Sequence, residues 1–553
     1  MQDESARRGA PSRRDVIAGA GASAVALTTG SGFAQRPVMA SGTVFEDRSG
    51  TGRRRPDDPG IAGVLVSNGR DIAKTDPDGR WRLPVAEGDG LFVIKPPHWS
   101  TPTGPGGIPR FSYLHQPRGS PNAVAWRHRG VAPTGALPVS IDFPLVRREE
   151  PARFEALLLS DTQPENEAEL GYLRDDIIAP LIDTRAAFAI NHGDVVSDDL
   201  ALYPRYLQLT GTTGIAWHHC PGNHDMNSEA RDDATSRETW KRVFGPRYYA
   251  FQHAQATFIV LDNVHYFGYN PGAPRSGRYW GRIGETQMQF VRALLAHVPR
   301  DHLVVLSMHI PLVSHQDPAS PSDNTLDRRA LLALLAGRPH TLSLSGHMHT
   351  TEHHYLGPDE GFDGAAPHHH HVLTAACGSW WCGPRDSRGI PCADSVDGSP
   401  NGLHVLAVDG NRYTTRFVPA ASKTPAQMRV LIDGPHRPAG LPVPEHQVES
   451  CEIIANVFDG GPRTAVTCAI AGAGTLPMTR SAAGDPFIAE LLSRPGAIRK
   501  PWVEAVPSTH LWKARLPSGL AAGAHRVTVR AIDEYGRQHL AHTVLEVAAS
   551  ASM

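Results

Sequence analysis

The sequence predicts an α/β layered domain set between two β-rich segments, and three observations carry that reading. Between residues 153 and 345, strand-like apolar runs alternate with amphipathic, helix-like segments, the pattern of strands and helices stacked in layers. Residues 41–146, and the chain beyond about residue 372, carry short β-like runs broken by Gly, Pro and Asp. At 553 residues the chain exceeds one ordinary core, so roughly two to four domains are expected.

The first segment is a candidate export signal, residues 1–34. In "PSRRDVIAGAGASAVALTTGSGFAQ", Arg13 and Arg14 precede a mildly apolar, Ala/Gly-rich run, and small residues allow cleavage after Ala34. Paired arginines before so weak an apolar region resemble a twin-arginine signal, which predicts a periplasmic or extracellular protein. The run is too short for a transmembrane helix, and nothing else in the chain looks membrane-spanning. Residues 41–146 then read as a small N-terminal β-sandwich, with a D-P-D-G turn at 76–79. The acidic spacing of "GTVFEDRSGTG" is poor for a calcium loop and favours a turn-rich edge.

The middle segment supplies "FEALLLS", "AAFAIN", "IAWHHC", "ATFIVLD", "HLVVLS" and "TLSLS" as strands, with helices such as "EAELGYLRDDIIAPLID", "ETQMQFVRALLAHV" and "LDRRALLALLA" among them. Beyond residue 372 a mostly-β domain runs to about 547, interrupted by the helix-like "DPFIAELLSR". With 54 basic and 56 acidic side chains the net charge is −2, which offers no general drive toward nucleic acid or anionic membranes. There is no C-x-x-C, so a zinc ribbon has no support. In an oxidising compartment, Cys451 and Cys468 could be bridged, as could one pair among Cys377, Cys382 and Cys392, while Cys220 reads as a buried thiol.

The chemistry lies where the strand-like runs end. "EALLLS" is followed by Asp161-Thr162-Gln163, "AAFAIN" by His192-Gly193-Asp194, and "IAWHHC" by Pro221-Gly222-Asn223-His224-Asp225. "HLVVLS" leads to His309, and "TLSLS" to Gly346-His347-Met348-His349. Ligands gather at the carboxyl ends of strands in open α/β sheets, so these residues are expected to converge. A mixture of Asp, Asn, Gln and His favours divalent transition metals over calcium or cysteine-built zinc. The candidates exceed what one ion needs, which points to two ions sharing a carboxylate.

The ordered series D-x-Q, G-D, G-N-H-D, a lone His, then G-H-x-H resembles the calcineurin-like metallophosphoesterase superfamily. Beyond it, "CGSWWCGPRDSRGIPCADSVDGSPNGLHV" is similar to the C-terminal domain of a bacterial exported subfamily that also carries an N-terminal β domain. The resemblance implies a four-layer core, a β-sandwich flanked by helices, with the catalytic domain at 150–358 and the C-terminal domain at 372–547. It implies one divalent metal ion (Mn, Fe, Zn or Mg) on Asp161, Gln163, Asp194 and His349. A second would sit on Asp194, Asn223, His309 and His347, with Asp194 bridging. A metal-bridging hydroxide would attack a phosphate-ester substrate, and His224 would assist the leaving group.

Two positions depart from the common pattern. Gln163 stands where His is usual, a neutral oxygen donor weaker and harder than imidazole, which is expected either to lower affinity at the first site or to shift preference toward Mn²⁺ or Mg²⁺. Related protein phosphatases place an Asp three residues after the G-D aspartate to orient the catalytic His; here that residue is Ser197, and Asp198 follows. Elsewhere, His218 and His219 read as core residues, and His353 and His354 as a strand leaving the site. The tract His368–His371 reads as a solvent-facing strand or linker. Trp380 and Trp381 either line the cleft or pack the C-terminal domain, with packing preferred. Asn263 and His265 could reach the rim. Loops 265–284 and 313–325 would select the leaving group. The competing reading is a cell-envelope binding or scaffold protein with a vestigial metal site.

Overall fold

The computed structural model describes residues 38–122, 124–421, 426–434 and 441–549. The candidate export signal lies outside the described residues. Among the described residues, no helix is long and apolar enough to cross a membrane.

Residues 38–147 form two four-stranded sheets, one ordered Arg80–Val85, Val38–Glu46, Phe143–Arg147, Trp99–Ser100. The other runs Ile72–Lys74, Leu65–Ser67, Asp89–Ile94, Ser112–His115. The layered region has two larger sheets. The first is ordered Ala216–His219, Phe188–Asn191, Arg153–Leu159, Gly402–Asp409, Arg412–Pro419. The second runs Tyr249–His253, Ala256–Val260, Leu303–Ser307, Thr341–Ser345, His368–Val372, Glu352–Leu356.

Burial explains the apolar runs. Along Arg153–Leu159, Ala156 and Leu158 join the same core as Phe258, Val305 and Leu344 of the other sheet. Leu157 and Leu159 face the opposite way, packing with Leu170, Leu173 and Ile177 from the helical segment beyond. Both faces are covered, so alternation disappears and the strand reads as a continuous hydrophobic run. Phe188–Asn191 is parallel to both its neighbours, and the chain Ala256–Val260, Leu303–Ser307, Thr341–Ser345, His368–Val372 is parallel throughout. Parallel pairing puts the carboxyl ends of these strands on a common side.

The layered sheets extend past residue 358, where the sequence reading ended them. Strand Gly402–Asp409 pairs antiparallel with Arg153–Leu159 and covers what would be an open edge. The histidine tract is the clearest correction. His368–Val372 is not solvent-facing but an interior strand, and all four imidazoles are buried. Three of the four find partners across the sheet: Ser343 Oγ lies 2.8 Å from both His368 Nε2 and His370 Nδ1, and Tyr413 Oη lies 2.9 Å from His369 Nδ1. A paired imidazole can be buried where an unpaired one could not. The helix expected at 485–494 is present as Pro486–Ser493.

Val264–Tyr266 and Tyr279–Gly281 make a two-stranded sheet, and two further sheets form a C-terminal β-sandwich, Met428–Asp433, Glu452–Val457, Pro507–Arg515, Thr479–Gly484 against Val443–Pro444, Gln538–Ala548, Gly523–Ile532, Ala465–Ile470, Gly474–Pro477. Cys220, Cys377, Cys382 and Cys468 are thiols, so neither the Cys451–Cys468 bridge nor a pair within 377–392 is formed. Burial of Cys220 is as expected.

Candidate metal centre

All eight residues singled out by the motifs come together on the turns after the parallel strands. The tighter group is Asp194, Asn223, His309 and His347. His309 Nε2 lies 3.0 Å from Asn223 Oδ1, 3.3 Å from Asp194 Oδ2 and 3.2 Å from His347 Nδ1. The other group is looser: His349 Nε2 is 3.7 Å from Asp161 Oδ1, and the Gln163 amide nitrogen is 3.5 Å from Asp194 Oδ2. The Gln163 carbonyl faces Cys377 Sγ at 3.9 Å. A ligand would present that oxygen, which a half-turn of the amide exchanges with the nitrogen.

Backbone strain is concentrated here. Asp161, Gln163, Asp194, His347 and His349 all hold positive φ, as do Asp198 and Trp380. Left-handed backbone is unfavourable for such residues and persists only where surrounding contacts over-determine it, commonly at functional sites. Two glycines permit the close packing. A Cβ on Gly222 would lie 2.2 Å from both the backbone nitrogen and Oδ1 of Asp194. A Cβ on Gly346 would lie 1.5 Å from Ser160 Oγ and 2.5 Å from Asp161 Oδ2.

The histidines are oriented for cation binding. His309 Nδ1 lies 2.9 Å from the His192 carbonyl, and His349 Nδ1 lies 2.6 Å from the Gly378 carbonyl. A carbonyl only accepts, so each Nδ1 carries the proton and each Nε2 lone pair points into the site. His309 Nε2 thus faces a carboxylate, an amide oxygen and a second imidazole, an arrangement that is repulsive unless a cation sits among them. The donor set therefore fits divalent metal ions. Titration expresses the same demand for positive charge. Burial opposes ionisation, yet Asp194 raises His309 to about 9, and His309 and His224 in turn hold Asp194 well below the usual carboxylate range. Burial, helped by the neighbouring His347 and opposed by Asp161, pushes His349 down and favours its neutral form.

His224 stands beside this group with its backbone N–H donating to Asp194 Oδ1 at 2.8 Å. Its Nδ1 lies 2.9 Å from Asp198 Oδ1, so Asp198 occupies the orienting position that Ser197 could not fill. Against burial, Asp194 and then Asp198 raise its pKa to about 9.

Sequence reasoning left several supporting residues without a role. Asp225 is buried and accepts from the N–H groups of Val195 (3.1 Å) and Gly222 (2.9 Å) and from Tyr203 Oη (2.9 Å), locking the two ligand loops together. Asn263 accepts from the N–H groups of His309 (3.2 Å) and Ile310 (3.1 Å), while His265 lies 3.9 Å from Asp233. The tryptophans divide their tasks. Trp380 stacks on His349 with ring centroids 3.7 Å apart, and Trp381 is buried with Nε1 donating to the Thr162 carbonyl. The two expected specificity loops both reach His347: the Tyr279 ring centroid is 6.1 Å from it, and Asp323 Oδ1 is 3.9 Å from its Nε2. His218 and His219 are core residues, stacked on Phe251 and bonded to Tyr206 respectively.

Comparison with known proteins agrees with this geometry. The profile described as calcineurin-like phosphoesterase matches residues 155–351, and the one described as the C terminal of calcineurin-like phosphoesterase matches residues 370–539. No curated protein matches the sequence significantly. Among solved structures, purple acid phosphatase PPD1 isolated from yellow lupin (Lupinus luteus) seeds aligns over 64% of this chain and 67% of its own, at 11% identity and a TM-score of 0.34. The first profile takes in every motif from Asp161 to His349 and the second follows it along the chain; the chain belongs to the calcineurin-like phosphoesterase family, a family of metal-dependent phosphoesterases.

Proposed function

We propose that the protein is an exported hydrolase of phosphate esters that works with two divalent ions, one held by Asp161, Gln163, Asp194 and His349 and the other by Asp194, Asn223, His309 and His347. The observation that carries this reading is His309, whose Nδ1 is held by the His192 carbonyl and whose Nε2 faces Asp194, Asn223 and His347. Such ions, when bound, withdraw charge from the phosphoryl oxygens and activate water for attack.

The chain's own residues supply the rest. Asp194 lies between the two groups and offers a carboxylate to both. His224 Nε2, the ring atom left free by the Asp198 contact, delivers a proton to the leaving oxygen. Asp198 fixes which nitrogen does this and favours the protonated ring. Tyr279 and Asp323, from the two overhanging loops, bound the space where the leaving group lies.

Hydrolysis of an aryl phosphate monoester and of its diester, with Asp194→Asn as control, tests the proposal. Metal-dependent release of the phenol that disappears in Asp194→Asn supports it, and the monoester/diester ratio assigns the substrate class. No hydrolysis of either after Mn²⁺, Fe²⁺, Zn²⁺ or Mg²⁺ reconstitution overturns it in favour of a binding or scaffold role.

A further inference from the structure

A second group of ligating side chains shares no residue with the site above. His353 on the strand Glu352–Leu356, His371 on His368–Val372 and Asp459, just beyond Glu452–Val457, bring one donor atom each within 4.8 Å of one another. His353 Nε2 is 3.0 Å and His371 Nε2 3.2 Å from the same carboxylate oxygen, Asp459 Oδ1. These spacings match the edges of a zinc tetrahedron, about 3.3 Å when zinc–nitrogen bonds are ~2.0–2.1 Å. Both imidazole side chains are fully buried.

The hydrogen bonding around the group is what marks it. Neither ring nitrogen of His371 has a hydrogen-bond partner, although Nε2 is close to Asp459; the lone pair is not aimed along a hydrogen bond to the carboxylate. A buried imidazole with both nitrogens unsatisfied is costly, and a cation on Nε2 removes that cost. His353 is held from behind. Its Nδ1 is 2.9 Å from His369 Nε2, and His369 Nδ1 is 2.9 Å from Tyr413 Oη. When His369 donates to Tyr413 it accepts from His353, the outer-shell arrangement that orients metal-binding histidines; His353 Nε2, hydrogen-bonded to Asp459 Oδ1 at 3.0 Å, would release its proton for a cation to take that place. His404 Nδ1 is 3.6 Å from Asp459 Oδ1, but its Nε2 accepts the Thr374 N–H at 3.3 Å. Its Nδ1 therefore carries a proton that faces Asp459 without hydrogen-bonding to it, and His404 is not a ligand in this orientation.

We propose that His353, His371 and Asp459 form a further divalent-cation site, suited to zinc, that ties the C-terminal β-sandwich to the edge of the layered domain. Two imidazoles and one carboxylate are a zinc-type donor set, with water completing four-coordination. Both histidines lie on the outermost pair of strands of the six-stranded sheet, and Asp459 lies on the C-terminal sandwich. A cation there bridges elements more than 80 residues apart in sequence, counted from His371 to Asp459. A surface cavity lined by His353, Tyr355, Pro462 and Arg463 lies beside it.

The test is metal analysis of the full chain after exhaustive dialysis against dilute Zn²⁺ and then buffer. The double variant His309→Ala/His349→Ala, which removes an imidazole from each of the two ion groups of the phosphoesterase centre, is expected to retain about one zinc per chain. Asp459→Asn is expected to lose about one zinc relative to the parent, and its melting temperature to rise less than the parent's on adding Zn²⁺. A double variant with no zinc, or an Asp459→Asn protein with the parent's zinc content, overturns the proposal. If Asp459→Asn does not fold, anomalous diffraction from the parent at the zinc edge decides: a peak within about 2.1 Å of His353 Nε2 and His371 Nε2 supports the site, and its absence rejects it. Because the double variant lacks an imidazole in each catalytic group, and Asp459→Asn touches neither group, this outcome is independent of whether the phosphoesterase reading holds.

Discussion

Asp198 Oδ1 and His224 Nδ1 face each other at 2.9 Å, although Asp198 sits one residue beyond the position that related phosphatases use. Positive φ at Asp198 turns its side chain back toward the G-N-H-D loop, so one extra residue is absorbed without losing the contact. The pair makes His224 a positioned proton donor. His224→Ala is expected to lower kcat by roughly 10²–10⁴-fold, the range for loss of a general acid, and Asp198→Asn by less. The loss should be larger for an alkyl phosphate, whose leaving oxygen needs the proton, than for p-nitrophenyl phosphate, whose leaving group does not. Steady-state rates on the two substrates check this; equal losses would remove His224 from that role.

Asn263 is a positioning residue for the centre. Its carbonyl oxygen accepts from His309 and Ile310, and its amide donates to the Ile310 carbonyl at 2.6 Å and to Thr325 Oγ1 at 2.8 Å. Asn263→Ala leaves two buried N–H groups unsatisfied, at a cost of about 1–3 kcal/mol each. It also frees His309, so metal affinity should fall by roughly 10–100-fold. Chelator competition measures this directly.

Glu150 clamps the N-terminal sandwich to the layered domain. It meets Lys95 Nζ at 2.5 Å and accepts from the N–H groups of His98 and Ala254, both at 2.9 Å. Burial would raise its pKa, but His253 and Lys95 bring it from 4.5 down to about 2. Between those values the unfolded chain binds the proton and the native one does not. The stabilisation is therefore complete above about pH 4.5 and drains away as pH falls toward 2, about 3 kcal/mol in all. Glu150→Gln should lower stability at pH 7 by a similar amount and flatten that acid limb in denaturant titrations.

Buried neutral histidines set a second acid dependence. Burial lowers His219 and His368 from 6.5 to about 3. Their stabilisation is present above pH 6.5 and is lost as pH falls toward 3, each contributing a slope of about 1.4 kcal/mol per pH unit once the unfolded chain is protonated. Melting temperatures measured from pH 7.5 to 4.5 should drop steeply, and His368→Gln should make the drop shallower.

What the sequence revealed and what it hid differ in physical kind. Asp161, Asp194, Asn223, His309, His347 and His349 each follow a strand buried on both faces, so an apolar run announces the turn and the turn carries the ligand. The tract His368–His371 carried no such announcement. Its burial depends on Thr341, Ser343, Tyr355 and Tyr413, which supply hydrogen bonds or stacking from other strands. Polarity alone therefore placed it at the surface. Asp459 was silent for the same reason: nothing near it in sequence signals the two imidazoles that face it. Trp380 and Trp381, adjacent in sequence, serve different faces because both hold positive φ in a tight turn, which local pattern does not encode.

The measurement that bears most directly on the central claim is the rate of phenyl phosphate hydrolysis by the metal-free full chain as Mn²⁺ or Zn²⁺ is titrated in, run in parallel with Asp194→Asn. The account predicts a rate that rises from near zero to saturation with added ion, and a variant that stays slower by at least roughly 10³-fold at every concentration, because Asp194 serves both ligand groups. Hydrolysis that proceeds without added ion, or that Asp194→Asn leaves intact, would contradict it.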